Sequence, residues 1–351
     1  MGYNIAFYIH HHGSGHLMRS LAIAAHLENC SVTFLGSDLE RYRSIIPDKI
    51  RCIILPPDTK TENDNWFMER EVSGLHYAPL NVAGQTARVA MLSAFFAAQA
   101  ALLLVVDVSV EVAMLATLCG VPTVVVRQHG KRDDLPHTIA YRNAAGLLAP
   151  YDRNLQPDED EWLSEKTFFT GGFSRYNPQS HKTEENCREV AILVGRGGTS
   201  INEPFISRLV DQCSDWHFHL IGNIDGMNMG FKARNLSVYD HLENPLPVLN
   251  QCVVVIGNAG HNTVMELASL NKRMILIPES RPFDEQFVKA QMLEKLNLAR
   301  VILPESMLIT NWSEELNKIL SINPNWANTI KAHAASDAAA YLRALFLKQF
   351  F

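Results

Sequence analysis

The residues best equipped for chemistry gather at one turn near the start of the chain. His10-His11-His12-Gly13-Ser14-Gly15-His16 follows the apolar run Ile5–Ile9 and leads into a helical pattern that carries Arg19. Glycines at a strand-to-helix turn let backbone amides approach a ligand, and the positive end of the helix favours an anion there. A histidine at such a turn can take a proton from a sugar or alcohol hydroxyl near neutral pH. The plain alternative is a histidine that caps the helix or bonds the loop. Asp107 ends the apolar run Leu102–Val106, which places it at the carboxyl edge of the same sheet. There a carboxylate can fix an imidazole tautomer and raise its basicity. An N-cap for a helix beginning near Val110 explains Asp107 equally well, and both roles stay open. A metal reading of the three leading histidines lacks a carboxylate or further ligand at a telling spacing, so no metal is expected.

Two further loops stand in the second half. Val194-Gly195-Arg196-Gly197-Gly198-Thr199-Ser200 is a glycine cluster between a strand pattern and a helix pattern. Ile256-Gly257-Asn258-Ala259-Gly260-His261-Asn262-Thr263 repeats that logic, with Glu266 one turn into the helix and Asp284-Glu285-Gln286 further on. Both loops suit a phosphate, offering amides and hydroxyls at a helix N-terminus. An NAD-type fingerprint is the obvious competitor at the first loop, since Asp38 follows the second strand. It fails because Met18 occupies the third glycine position.

Positioning these loops requires alternating strands and helices. Short apolar runs at Ile5–Ile9, Val32–Leu35, Ile53–Leu55, Leu103–Val106, Thr123–Val126 and Gly146–Ala149 alternate with helical patterns at Met18–Leu27, Thr86–Ala98 and Val110–Cys119. The alternation restarts at Val190–Val194 and continues through His217–Ile221, Val253–Ile256 and Met274–Ile277, with helices Glu203–Cys213, Thr263–Leu270 and Phe287–Leu296. This predicts an α/β chain with two Rossmann-like, doubly wound parallel sheets facing across a cleft. The expected organisation is an N-terminal domain over 1–173, a linker at 174–188, a second domain over 189–325, and a C-terminal helix over 326–351 that packs back towards the first domain.

Composition narrows the function. A chain of 351 residues with 47% hydrophobic and 19% charged residues is globular and long enough for two cores. A net charge of −6 and the lack of any basic run argue against nucleic acid as a partner. Six scattered cysteines, none in CxxC, read as reduced and mostly buried thiols of a cytoplasmic protein. No leader pattern precedes the first strand. The stretch Val89–Val106 is long enough to span a membrane but changes midway from Ala-rich to β-branched, so a helix followed by a buried strand is expected. No transmembrane segment is expected, and peripheral membrane contact stays compatible. Asp158-Glu159-Asp160 looks like a metal-binding DxD but reads as a solvated turn.

NAGHNTVMEL followed by ILIPESRPFDEQFVKAQML resembles the donor-binding segment of family 28 glycosyltransferases, and the signature box of plant and antibiotic nucleotide-sugar glycosyltransferases. HGSGHLMRSLAIAAHL and VVDVSVEVAMLATLCGVPTVVV resemble the acceptor-side glycine loop and the strand–Asp–helix segment of the same enzymes. The resemblance implies a GT-B fold and an inverting transfer from a nucleotide-sugar, with UDP the expected nucleotide and neither metal nor cofactor. It implies His16 as base, Asp107 as the carboxylate that orients it, and His12, Gly13, Ser14, Gly15 and Arg19 as the acceptor-side loop. Glu266 would hold the ribose hydroxyls, and Glu285 and Gln286 the donor sugar. Gly197, Gly198, Thr199, Asn258, Gly260, His261, Asn262 and Thr263 would line the diphosphate. Asn258 stands where the plant-type box has a phosphate-binding histidine, and the tryptophan and glutamine that open that box are not recognisable in VYDHLENPLPVL. The acceptor is left open among lipid, polyketide or other natural product, peptide and sugar. A nucleotide-sugar hydrolase, an epimerase and a non-catalytic nucleotide-sugar binder are the alternatives on this fold.

Overall fold

Strands buried on both faces read as unbroken apolar runs, and both halves of the chain form such sheets. The computed structural model describes residues 2–11, 15–176, 187–195, 197–224, 233–240, 242 and 244–351. In the first half β1 (Tyr3–Ile9), β2 (Cys30–Gly36), β3 (Arg51–Ile54), β4 (Leu103–Asp107), β5 (Thr123–Val126), β6 (Gly146–Ala149) and β7 (Thr167–Phe169) make one sheet, ordered β3-β2-β1-β4-β5-β6-β7. In the second, β8 (Glu189–Leu193), β9 (His217–Ile221), β10 (Leu236–Tyr239), β11 (Val254–Gly257), β12 (Arg273–Leu276) and β13 (Arg300–Val301) are ordered β10-β9-β8-β11-β12-β13. Neighbouring strands are parallel throughout.

The first sheet is wrapped by α1 (Gly15–Ala24), α2 (Ala83–Ala97), α3 (Val110–Leu118), α4 (Leu135–Asn143) and α5 (Glu161–Lys166). The second has α6 (Glu203–Gln212), α7 (Leu246–Gln251), α8 (His261–Ser269), α9 (Glu285–Lys295) and α10 (Trp312–Leu320), and α11 (Ala334–Phe350) closes the chain. Alternate residues of β1 serve opposite cores: Ile5, Phe7 and Ile9 pack on one face, Ala6 and Tyr8 on the other. The period of two in side-chain direction makes that division automatic.

The last helix crosses back. Ala338, Ala339, Leu342 and Phe346 of α11 belong to the core under β1 and α1. At Gly146 an added Cβ would meet the Tyr341 hydroxyl, so a larger residue there would push α11 off β6. The helix expected over 326–351 begins only at Ala334, after a short 3-10 turn at Trp326–Asn328. Most of the expected linker, 177–186, lies outside the described residues.

Val89–Val106 is the end of α2 followed by β4, and no helix among the described residues is long and apolar enough to cross a membrane. All six cysteines are free, but only Cys213 and Cys252 are buried and Cys119 is exposed. The expectation of mostly buried thiols is corrected accordingly.

Candidate active site

The strand order reverses between β1 and β4 in the first sheet and between β8 and β11 in the second. Such switch points open crevices at the carboxyl ends of strands. Ile9 pairs with Asp107 in register, which brings the loop after β1 beside the end of β4. His16, in the first turn of α1, has its Nδ1 3.1 Å from Asp107 Oδ1. Arg19 lies one turn further on the same helix. Its Nη2 reaches Asp107 Oδ2 at 2.7 Å and Oδ1 at 2.9 Å, and its Nε reaches Oδ2 at 3.0 Å. Arg19 Nη2 also lies 3.2 Å from His16 Nδ1. Because both Nη2 hydrogens are engaged by the carboxylate, the network assigns the imidazole hydrogen to Nδ1 and leaves a lone pair on Nε2. Burial alone would raise the Asp107 pKa, but Arg19 and then His16 outweigh it and hold the carboxyl well below its usual range.

Two of the sequence readings are settled by these contacts. Ser109, whose side chain accepts from Val112 N, caps α3, so Asp107 is not the cap. Arg19, grouped with the acceptor-side loop and expected on the helix after it, is buried on α1 and turned onto Asp107. His12, Gly13 and Ser14 lie outside the described residues.

Between Asp107 and Ser109 the chain is strained. Val108 has φ of 64°, a left-handed conformation that a β-branched residue rarely adopts. Relief of about 1–3 kcal/mol competes with the loop entropy of glycine, about 0.5–1 kcal/mol. Val108→Gly is therefore expected to unfold at the wild-type denaturant midpoint or above it. A midpoint clearly lowered in urea melts would show that the Val108 side chain outweighs the strain.

On the facing domain, Gly260 is the N-cap of α8 and offers no side chain to cap its first turn. The first-turn amides of such a helix favour an anion. An added Cβ at Gly15 would sit 3.0 Å from the Asn262 side-chain Nδ2, so the N-termini of α1 and α8 meet across the cleft. The other expected phosphate loop is built differently. The helix after it, α6, starts at Glu203 and is capped by Asn202, whose side chain accepts from Phe205 N; the segment at Gly197–Thr199 is thus not a helix N-terminus. Arg281 Nη2 donates to the carbonyls of Gly197 and Gly198. Glu279 accepts from Ser200 N at 2.6 Å, from the Ser200 hydroxyl at 2.7 Å and from the Thr199 hydroxyl at 3.3 Å. The Thr199 hydroxyl also lies 3.3 Å from Asn258 Oδ1.

The remaining expected donor contacts are engaged within the protein. Glu266 pairs with Arg175 Nε at 2.9 Å, and its pKa is raised by burial against the opposing pull of Arg175. Gln286 is buried and accepts from Glu279 N at 3.0 Å. Glu285 lies 3.5 Å from Lys289 and 3.7 Å from Arg132.

Lys289 is fully buried and donates to Ala259 O at 3.0 Å, bracing the loop into α8. Burial first, then Lys289 and Arg19, lower the His261 pKa well below the usual imidazole range; burial and Lys289 do the same to His129. Both rings are neutral at neutral pH. The domains also touch directly: Lys131 N donates to Phe283 O at 2.7 Å, and Arg132 lies over the Phe283 ring at 4.8 Å. Gly130 has φ of 112°, and a Cβ there would run into Phe283 O, so only glycine permits this approach.

Comparison with known proteins agrees with this geometry. Residues 192–342 match the glycosyltransferase family 28 C-terminal domain. A UDP-N-acetylglucosamine--N-acetylmuramyl-(pentapeptide) pyrophosphoryl-undecaprenol N-acetylglucosamine transferase of Geobacillus kaustophilus is 25% identical over 255 residues, 68% of this chain and 69% of the relative. The crystal structure of Acinetobacter baumannii MurG superposes with a TM-score of 0.65 at 14% identity, covering 97% of this chain and 99% of that one. A UDP-glucosyltransferase from Polygonum tinctorium that glucosylates indoxyl superposes with a TM-score of 0.68 at 13% identity, covering 99% of both chains. The chain has the GT-B fold and is similar to family 28 glycosyltransferases, most clearly over residues 192–342.

Several residues that shape the enzyme's cleft carried no individual signal in the sequence. Glu279, Arg281, Phe283 and Lys289 all lie in the segment ILIPESRPFDEQFVKAQML, and only tertiary packing brings Arg132 to them. Arg19 did carry one, since residues three apart on a helix share a face. In the DxD-like segment, Glu159 forms an ion pair with Arg127 and its side chain is 8% exposed. Asp158 and Asp160 are exposed, as in the solvated turn expected there, and Glu159 alone turns inward as a structural contact. Two groups of described side chains have spacing that could hold a metal ion, His76–Asp134–His137 and Glu189–His217–His219. In the first, Asp134 caps α4 by accepting from His137 N at 2.9 Å. In the second, Glu189 accepts from His219 at 2.8 Å.

Proposed function

We propose that this enzyme moves a sugar from a nucleotide-sugar, a UDP-sugar, onto a hydroxyl of its acceptor, with inversion and without a metal ion. The observation that carries this reading is the meeting of a His16–Asp107 pair with the uncapped N-terminus of α8 across one cleft. His16 Nε2 takes the acceptor proton as the hydroxyl oxygen attacks the anomeric carbon, and Asp107 stabilises the imidazolium that forms. The bond to the leaving diphosphate breaks as the new one forms. Its growing negative charge falls on the first-turn amides of α8. Relatives named as acting on UDP-N-acetylglucosamine support the choice of nucleotide.

Calorimetry with UDP tests the donor half. Binding is expected with equal affinity in magnesium and in EDTA, and no binding at millimolar UDP would overturn the proposal. Glu266→Ala is expected to weaken UDP by about 1–3 kcal/mol, the usual loss for a charge-assisted hydrogen bond. The loss should be much smaller for 2′-deoxy-UDP. Equal losses would mean that Glu266 serves only to anchor Arg175.

A further inference from the structure

A cavity of about 510 Å³ opens beside the His16–Asp107 pair, within the size range of small-molecule sites. Val108 and Ser109, directly after Asp107, line it, as does His10, whose ring centre is 5.9 Å from that of His16. Its walls are largely apolar, with Tyr8, Leu92, Leu115, Val126 and Tyr141 from the first domain and Phe283 from the second.

The charged groups around it are matched internally. Arg88 donates to the Tyr8 hydroxyl at 2.6 Å and to Pro56 O at 3.0 Å, bonds Ser37, and lies 3.5 Å from Asp58. Arg132 donates to Gln128 Oε1 at 3.0 Å and to His129 O at 3.2 Å, and faces Glu285. Glu111 accepts from His76 N, Tyr77 N and Ser109 Oγ. Asp134 is shared by His76 and His137. Burial, joined by Arg132 and opposed by Asp134, lowers the His137 pKa to about 4. A charged ligand would lose its hydration here and find its natural partners already taken.

Gln85, in the first turn of α2, is the exception. It lines the cavity, and its Oε1 is buried with no hydrogen-bond donor among the described residues. Buried amide oxygens are almost always satisfied. A hydroxyl both donates and accepts, so it can answer either end of this amide.

We infer that the acceptor is a compact, uncharged ring compound that places one hydroxyl at His16 and a second polar hydroxyl on Gln85. The inference rests on the glycosyltransferase reading of the adjacent site and names its acceptor class. It differs from the lipid-linked acceptor in the name of the Geobacillus kaustophilus relative.

Equilibrium dialysis with three probes tests it: 2,7-dihydroxynaphthalene, 2-naphthol and 6-hydroxy-2-naphthoate. The diol is expected to bind about tenfold tighter than the mono-alcohol, as one satisfied hydrogen bond implies, and the carboxylate should bind more weakly than either. Gln85→Met should abolish the diol's advantage, and Gln85→Glu, which keeps an accepting oxygen, should retain it. Equal binding of diol and mono-alcohol by the wild type, or an advantage that survives in Gln85→Met, would overturn the inference. Should no naphthol saturate a protein that still binds UDP, the acceptor class is wrong and the glycosyltransferase reading stands. If UDP fails as well, both fall.

Discussion

His16→Ala is expected to lower turnover by about 10²–10⁴, the usual contribution of a positioned general base, while leaving UDP affinity nearly unchanged. The separation of the two effects follows from the architecture, because the proposed base stands on α1 beside the first sheet and the proposed diphosphate site on α8 beside the second. Asp107→Asn should lower turnover less, since an amide cannot stabilise the imidazolium but leaves the ring in place. The double variant should be little worse than His16→Ala, because the pair acts as a unit. The measurement is steady-state transfer, with and without acceptor, alongside UDP calorimetry on each variant. Parallel loss of turnover and UDP affinity would mean that His16 supports the cleft and is not the base. Donor consumption at full rate without acceptor would make the product of this site free sugar.

Much of the fold was legible because both sheets are parallel. Runs such as Leu102–Val106 must be apolar throughout when helices cover both faces, and they announce themselves without an alignment. The edges did not. The strands β7, β10 and β13 have 3, 4 and 2 residues, are largely half-buried, and carry too little apolar character to register. Their order is imposed by pairing with a neighbour, which no local pattern encodes.

The candidate site divides along the same line. His16 and Asp107 could be singled out because each sits where a strand ends, and strand ends are visible. The glycine cluster at Gly197–Thr199 was legible as a loop, but its role was not. Its orientation depends on Glu279 and Arg281, about 80 residues away in sequence, which turn its carbonyls and hydroxyls inward. Gln85 is another such case, a single polar residue in a helical pattern whose meaning comes only from the cavity it faces.

Arg19 carries the largest expected effect on stability. It makes the bidentate contact that keeps a 2% exposed carboxylate ionised. Arg19→Leu is expected to cost about 3–5 kcal/mol at pH 7, because it strands a buried charge beside His16 alone. The pH dependence gives the sign. In the wild type the Asp107 pKa is depressed, so the stability it contributes is complete above the unfolded value of about 3.9 and is lost as pH falls below it. Without Arg19, burial drives the carboxyl the other way, and protonation relieves the variant. The difference between wild type and Arg19→Leu should therefore narrow as pH falls from 7 to 4, as read by urea unfolding at both values. Arg19→Lys should recover only part of the loss, since an ammonium cannot offer the two-pronged contact of a guanidinium. A gap that stays constant with pH would mean that Arg19 stabilises by packing, and the Asp107 charge would then need another explanation.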